Sequence, residues 1–482
     1  MEVRHLLGVL AASLALLQGC EAEQATPAPS PRATATAPQR LALEDLKNPE
    51  SCRTCHRLEY EQWASSMHAY ASADPVFIAM NQRGQRETGG ELGGFCVQCH
   101  APMAFRDGLT ADGLNLQEAP AWAKGVTCYF CHNATSVGDS HANADVMLAG
   151  DDVMRGSFLG IDPGVHGVAK SELHDPYSFK SSTLCGSCHD VVNGHGVAIE
   201  RTFREYSSSV SSLENFPSES GGVSCQGCHM RYSGDDYVSR VPYPGLQKRP
   251  RYNHRFPAVD VALIDFPSRR EQRQETICAL SDSAFVRSIS RIALGAGSEF
   301  RVAIETDAGH AMPSGAAQDR RLWLQVRAFG RDGKVLFESG TIGDGEVEEH
   351  PRDERPNRRQ LCMFRDHMLG DDGQEVHMFW EATQDSVSNL LPQAVRVQTT
   401  HERICTYRIP GTEEIASLEV MLRMRPIGMD VLHSLVESGD LDPAILGEVP
   451  TFDIHRTHVQ WRAEEGDIVQ MPVPLSAPDG CD

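Results

Sequence analysis

Five segments of the chain set two cysteines three positions apart and follow the second with a histidine: CRTCH from Cys52, CVQCH from Cys96, CYFCH from Cys128, CGSCH from Cys185 and CQGCH from Cys225. Thiols at that spacing can form thioethers to the two vinyl groups of one haem, and the adjacent histidine then presents a ring nitrogen to the iron. A single CxxCH would be compatible with chance or with half of a zinc site. Five of them, using ten of the fifteen cysteines, read as five covalently held c-type haems. Cys52 and Cys55, Cys96 and Cys99, Cys128 and Cys131, Cys185 and Cys188, and Cys225 and Cys228 are the attachment pairs. His56, His100, His132, His189 and His229 are the proximal ligands.

Each iron has a sixth position, and histidine is the residue type best able to fill it. After the first motif, LEYEQWASSMHAYA puts Leu58, Trp63 and Met67 at roughly helical spacing, with His68 at the helix end as a distal candidate. Between the third and fourth motifs the loop-rich stretch 140–179 holds His141, His166 and His174, preferred as ligands in the order His174, His166, His141. Beyond the fifth motif, KRPRYNHRFPAVD offers His254 among arginines suited to haem propionates. His310, in AGHAMPSG before a strand, suits donation across a domain boundary. His195, in a glycine-flanked turn, reads as exposed, and Met230 directly follows a proximal histidine, so it cannot reach the opposite face of that haem. Six distal candidates for five irons predict low-spin, bis-histidine haems.

Short helices and loops must position these groups between about residues 41 and 276. Motifs two and three are closest in sequence, which predicts neighbouring haems, and Gly93, Gly94 and Gly125 would let the backbone pass near a flat cofactor. From Ile277 to the end at residue 482 the character changes to alternating runs such as FRVAIET, RLWLQVRAF and KVLFES, the last two joined by a turn at Gly330–Gly333. The expected fold is therefore a helix- and loop-rich pentahaem domain followed by an antiparallel, sandwich-like β domain with a helix near Met429–Ser438. Cys278, Cys362, Cys405 and Cys481 remain for disulfides, with Cys362–Cys405 the favoured pair.

The N-terminus places Arg4 and His5 before an apolar run from Leu6 to Leu17 and ends Leu17-Gln18-Gly19-Cys20. Residues 1–20 read as a lipoprotein signal peptide in which Cys20 is lipidated. Residues 21–40, rich in Ala, Thr, Pro, Ser and Gln, read as a disordered tether. The expected location is membrane-anchored, at the periplasmic face or outer-membrane surface. A formal charge of −22 argues against nucleic acid and against an anionic lipid surface as partner, and favours a soluble body or a basic redox protein.

These residues together resemble the multihaem c-type cytochromes of the cytochrome c-552/4 type, a group related to the hydroxylamine oxidoreductase-like cytochromes. The resemblance spans Cys52 to about Ala328 and rests on WASSMHAYA, GVTCYFCHN, LCGSCHDVV followed by ERTFREY, CQGCHM, the HRF at His254, and GHAMPSG. It implies distal roles for His68, His174, His254 and His310, and a β-sandwich-like C-terminal domain. Tyr206 and Ser314 stand where relatives usually have tryptophan and threonine.

Electron transfer through a haem chain, between a membrane partner and a periplasmic or external carrier, is the reading these observations favour over catalysis, since no proximal position departs from histidine. A haem-based reductase of a small nitrogen or sulfur compound is the alternative, and a subunit of an extracellular cytochrome filament is a third. No catalytic triad or phosphate loop competes with the haem motifs: GGELGGF lacks the strand and helix a nucleotide site requires.

Overall fold

The computed structural model describes residues 39–348, 360–395, 401–411, 414–469, 478, 480 and 481. The expected signal peptide, Cys20 and all but the end of the tether lie outside them. From Gln39 onward the chain forms one compact unit.

Its first half is built of short helices because the sequence caps and breaks them repeatedly. Asn48 accepts from the Glu50 amide and Pro49 opens the helix Pro49–Arg53. Asp74 does the same for Val76 at the start of Pro75–Glu87, which Pro75 begins. The helix expected through WASSMHAYA is interrupted: Arg57–Ala64 ends, and Ser66 caps a second segment, Met67–Tyr70, which carries His68. The CxxCH segments sit on short helical turns, among them Val97–His100, Cys128–His132 and Cys225–His229. One turn brings residues i and i+3 to the same side.

The second half is β-rich. Ala284–Leu294, Gly297–Thr306, Arg403–Pro410 and Ile468–Val469 form a four-stranded sheet. Arg321–Gly330 and Ile415–Arg425 are the centre of an eight-stranded one, with Cys362–Leu369 on the other side of Arg321–Gly330. The pairings in both are antiparallel. Alternating side chains of the two sheets, including Val302, Ile304, Leu322, Leu324, Tyr407, Val420 and Trp461, meet in one buried cluster. The expected hairpin is present: Arg321–Gly330 pairs with Val335–Ser339 across Gly333, whose φ of +78° favours glycine. Cys362–Cys405 is a disulfide that joins the two sheets, and Cys278–Cys481 is a second.

The expected boundary at Ile277 falls inside the helix Arg269–Ser281. Met429–Glu437 packs Met429, Leu432 and Leu435 against Val76 and Ala79 of Pro75–Glu87, so residues far apart in the chain share a core. Among the described residues no helix is long and apolar enough to cross a membrane.

Candidate haem sites

Each motif histidine is oriented by an acceptor on its Nδ1. His56 donates to the carbonyl of Val238 at 2.6 Å, His100 to Ala71 at 3.1 Å, His132 to Arg155 at 2.5 Å and His229 to Pro257 at 2.9 Å. His189 instead meets the carboxylate of Glu200 at 3.3 Å. Such a bond fixes the tautomer and leaves Nε2 for a metal.

An iron held between two imidazoles, with bonds of about 2.0–2.1 Å each, requires ring centroids roughly 6.3 Å apart. Four motif histidines have a histidine at that spacing. His56 and His166 are 6.4 Å apart, His189 and His68 6.4 Å, His132 and His254 6.4 Å, and His229 and His310 6.5 Å. Three of the facing histidines repeat the anchoring pattern: Nδ1 of His166, His254 and His310 donates at 2.9 Å to the carbonyls of Gly167, Tyr252 and Ala311. The residues present therefore fit haem iron at these four places.

The fifth differs. Among the described residues no histidine faces His100 at this spacing; the aromatic contact of its ring is Phe77, stacked in parallel at 4.2 Å. A ring stacked flat on an imidazole lies beside it, not across an iron from it. Phe77 therefore braces the His100 ring.

His174, first in the order the sequence suggests, lies 5.0 Å from His132, too close for an iron between them, and its Nε2 bonds the Cys131 carbonyl at 2.9 Å. His141 packs edge-on to Phe203 at 5.5 Å in the left-handed region, with φ +49°. Nδ1 of both is buried without a hydrogen-bond partner. His166, ranked second, is the one brought opposite a motif histidine.

The cysteines show which motifs adjoin. Cys52 lies against Cys128, Cys99 against Cys188, and Cys185 against Cys225. Motif one thus meets motif three, and motif four meets motifs two and five, whereas the sequence interval pointed to two and three. The expectation for the glycines also changes. An added Cβ on Gly125, at φ +69°, would lie 2.6 Å from the carbonyl oxygens of both His68 and Ala69, so this glycine lets one backbone pass another, and the close neighbour of Gly94 is the Phe105 ring.

At seven of these histidines burial favours the neutral imidazole that can ligate a metal. Burial pushes His68 down to about 3, and His254 and His310 down to about 4, and lowers His56, His100, His132 and His229. At His189 burial acts the same way, but the hydrogen bond and charge of Glu200 outweigh it and raise the group to about 9.

Two supports were not legible as such in the sequence. In ERTFREY, the Glu205 carboxylate accepts from the Ala311 amide at 3.2 Å and from Ser314 Oγ at 2.7 Å. Thr202 Oγ1 accepts from the Gly315 amide at 2.9 Å. Together they lock the AMPSG turn behind His310; the signal was the motif itself, but its partners lie more than a hundred residues away. In KRPRYNHRF, Arg251 is buried and holds Glu59 and Asp236, bracing the loop of His254, where a propionate contact was expected.

Residues 51–133 match the family described as cytochrome c554 and c-prime. No curated protein matches the sequence. Among solved structures, the penta-heme cytochrome c552 from Thermochromatium tepidum is similar, at 21% identity and a TM-score of 0.57, over 84% of this chain and 98% of that one. The family match over the first three motifs, the shared fold and the five CxxCH segments together support a multihaem c-type cytochrome family for this chain.

Proposed function

We propose that the chain transfers electrons through five covalently bound c-type haems, carried by residues 41–276 and packed against a β-rich region formed by residues 277–482. The observation that carries the proposal is the set of four histidine pairs at 6.4–6.5 Å, each joining a motif histidine to a distant one. Bound haem supplies one-electron iron chemistry, and two histidine ligands favour a low-spin ion that needs little rearrangement on reduction. The protein's part is to fix both imidazoles of three pairs, and His189 of the fourth, before reduction through the Nδ1 bonds, and to bring attachment sites together through Cys52 and Cys128, Cys99 and Cys188, and Cys185 and Cys225. Its fold is that of a protein described as a penta-heme cytochrome, in keeping with this count.

The sequence count of six distal candidates suggested that every iron is filled by histidine. We assign His166, His68, His254 and His310 to the irons of His56, His189, His132 and His229; among the described residues no histidine lies opposite His100. An iron at His100 with an open sixth position would support a second reading, reaction of a small nitrogen or sulfur compound there. Coulometric reduction of protein matured in a cytochrome c-competent host should take up five electrons per chain, and a pyridine haemochrome assay should return five haems. Three or fewer would refute the motif assignment. A catalytic current with nitrite, hydroxylamine or sulfite on a protein-film electrode would favour the second reading over plain electron transfer.

We further propose export as a lipoprotein anchored through Cys20 at the periplasmic face or the outer membrane, exchanging electrons with membrane or periplasmic carriers. The supports are the Leu17–Cys20 segment and the polar stretch after it. Replacing Cys20 with serine should block processing or release the protein; unchanged fractionation would refute the anchor.

A further inference from the structure

One face of the molecule is unlike the acidic whole. The loop 158–162 raises Leu159 and Ile161, 77% and 51% exposed, beside the hairpin formed by Tyr232–Tyr237 and Lys248–Tyr252. Ile161 touches Gly245, and Arg249 Nη1 donates to the Leu159 carbonyl at 2.7 Å, so the loop and hairpin form one surface. Tyr177 and Tyr232 continue it, 72% and 59% exposed. Lys248 lies on the Tyr237 ring and Arg249 on Phe158; neither they nor exposed Arg231 forms an ion pair among the described residues. The nearby carboxylates are engaged: Asp162 by Arg40, Asp235 by the Tyr232 hydroxyl, and Asp236 by Arg240 and Arg251.

The first described residues lie on this same face. Arg40 reaches Asp152 and Asp162, and the Leu41 amide donates to the Val165 carbonyl at 3.0 Å, next to His166. Cys20 is therefore about twenty residues away, a reach of at most roughly 70 Å. Exposed aliphatic tips, tyrosines and unpaired cations are the side chains that suit the boundary of an anionic bilayer.

We propose that this face lies on an anionic phospholipid surface and turns the haem of Cys52 and Cys55 toward the membrane. Val238 of the hairpin holds His56, the Arg240 amide donates to the Cys55 carbonyl at 2.8 Å, and loop 158–166 ends at His166, so the surface and this haem site are one unit. The net charge of −22 opposes such an approach as a whole, but its field is screened within about 8–10 Å, and the local cations decide.

This inference rests on the proposed anchor, and one experiment separates the two. The full chain is reconstituted into phosphatidylethanolamine–phosphatidylglycerol vesicles, and hydrogen exchange is followed in peptides covering 158–162 and 232–249. They should exchange at least several-fold more slowly on these vesicles than in neutral detergent or phosphatidylcholine. Leu159→Asp with Ile161→Asp, or Lys248→Glu with Arg249→Glu, should restore the detergent rate while the protein still floats with the vesicles. Flotation of the parent with unprotected peptides would overturn the docking face and leave the anchor standing. Loss of the parent from vesicles in high salt, with protection retained in low salt, would overturn the anchor and support the face. Protection that grows with protein concentration in detergent, without lipid, would overturn the proposal in favour of contact between copies.

Discussion

His310→Ala should double the number of irons open to carbon monoxide. In the parent four motif histidines have a partner at 6.4–6.5 Å and His100 has none among the described residues, so the reduced protein should bind about one carbon monoxide per chain. Removing the His310 imidazole frees the iron of His229 alone, because the other three pairs share no residue with it. The turn should persist, since Glu205 and Thr202 hold it through Ala311, Ser314 and Gly315 and not through the imidazole. Carbon monoxide uptake should therefore rise from about one to about two per chain, with a matching new high-spin fraction in the oxidised spectrum. His174→Ala is the control: its Nε2 is tied to the Cys131 carbonyl, and uptake should stay at one. The assay is spectrophotometric titration of the dithionite-reduced protein, with haem content checked at five. Unchanged uptake in His310→Ala, or a rise in His174→Ala, would refute the pairing.

Three further perturbations probe the scaffold. Gly125→Ala would press a Cβ on the His68 and Ala69 carbonyls from a φ of +69°; it should cost about 1–3 kcal/mol in thermal or chemical unfolding and disturb the spectrum of the His189 haem. Replacing Cys362 and Cys405 together by serine opens a loop of 43 residues between the two sheets, worth about 4 kcal/mol in the chain-entropy treatment, and should lower the denaturant midpoint; an unchanged midpoint would show that the bridge adds little. Asp319 is pushed up to about 7, chiefly by burial, against the opposing charges of Arg321 and Arg320. Because its folded value lies above the unfolded one, its contribution is full below about pH 4 and is lost as pH rises toward 7, so Asp319→Asn should flatten the stability curve across that window.

The attachment sites were legible because CxxCH is local: the two thiols and the histidine need only one helical turn to come together. The strands were legible for a similar reason, since alternation in RLWLQVRAF and the Gly330–Gly333 turn are short-range signals, and Arg321–Gly330 pairs with Val335–Ser339 as they imply. Distal partners depend instead on long-range packing. His166 and His174 are eight residues apart in one loop-rich stretch, and only the fold decides that the first lies across from His56 while the second turns its Nε2 to a carbonyl. A count of candidates could not reveal that His141 packs on Phe203, or that Phe77 stacks on His100. Proximity in sequence likewise misled for the haem order, because the cysteine contacts join motifs 76 positions apart, Cys52 to Cys128, as readily as neighbouring ones. The domain boundary was blurred for the same reason: the change in pattern near Ile277 is real, but the helix Arg269–Ser281 runs through it.

The most direct test of the central claim is a count of spin states by low-temperature electron paramagnetic resonance, with near-infrared magnetic circular dichroism to identify the axial ligands. The oxidised protein should contain four low-spin haems with the charge-transfer band of bis-histidine ligation and one haem outside that class, assigned to His100. Five bis-histidine haems, or fewer than four, would contradict the pairing.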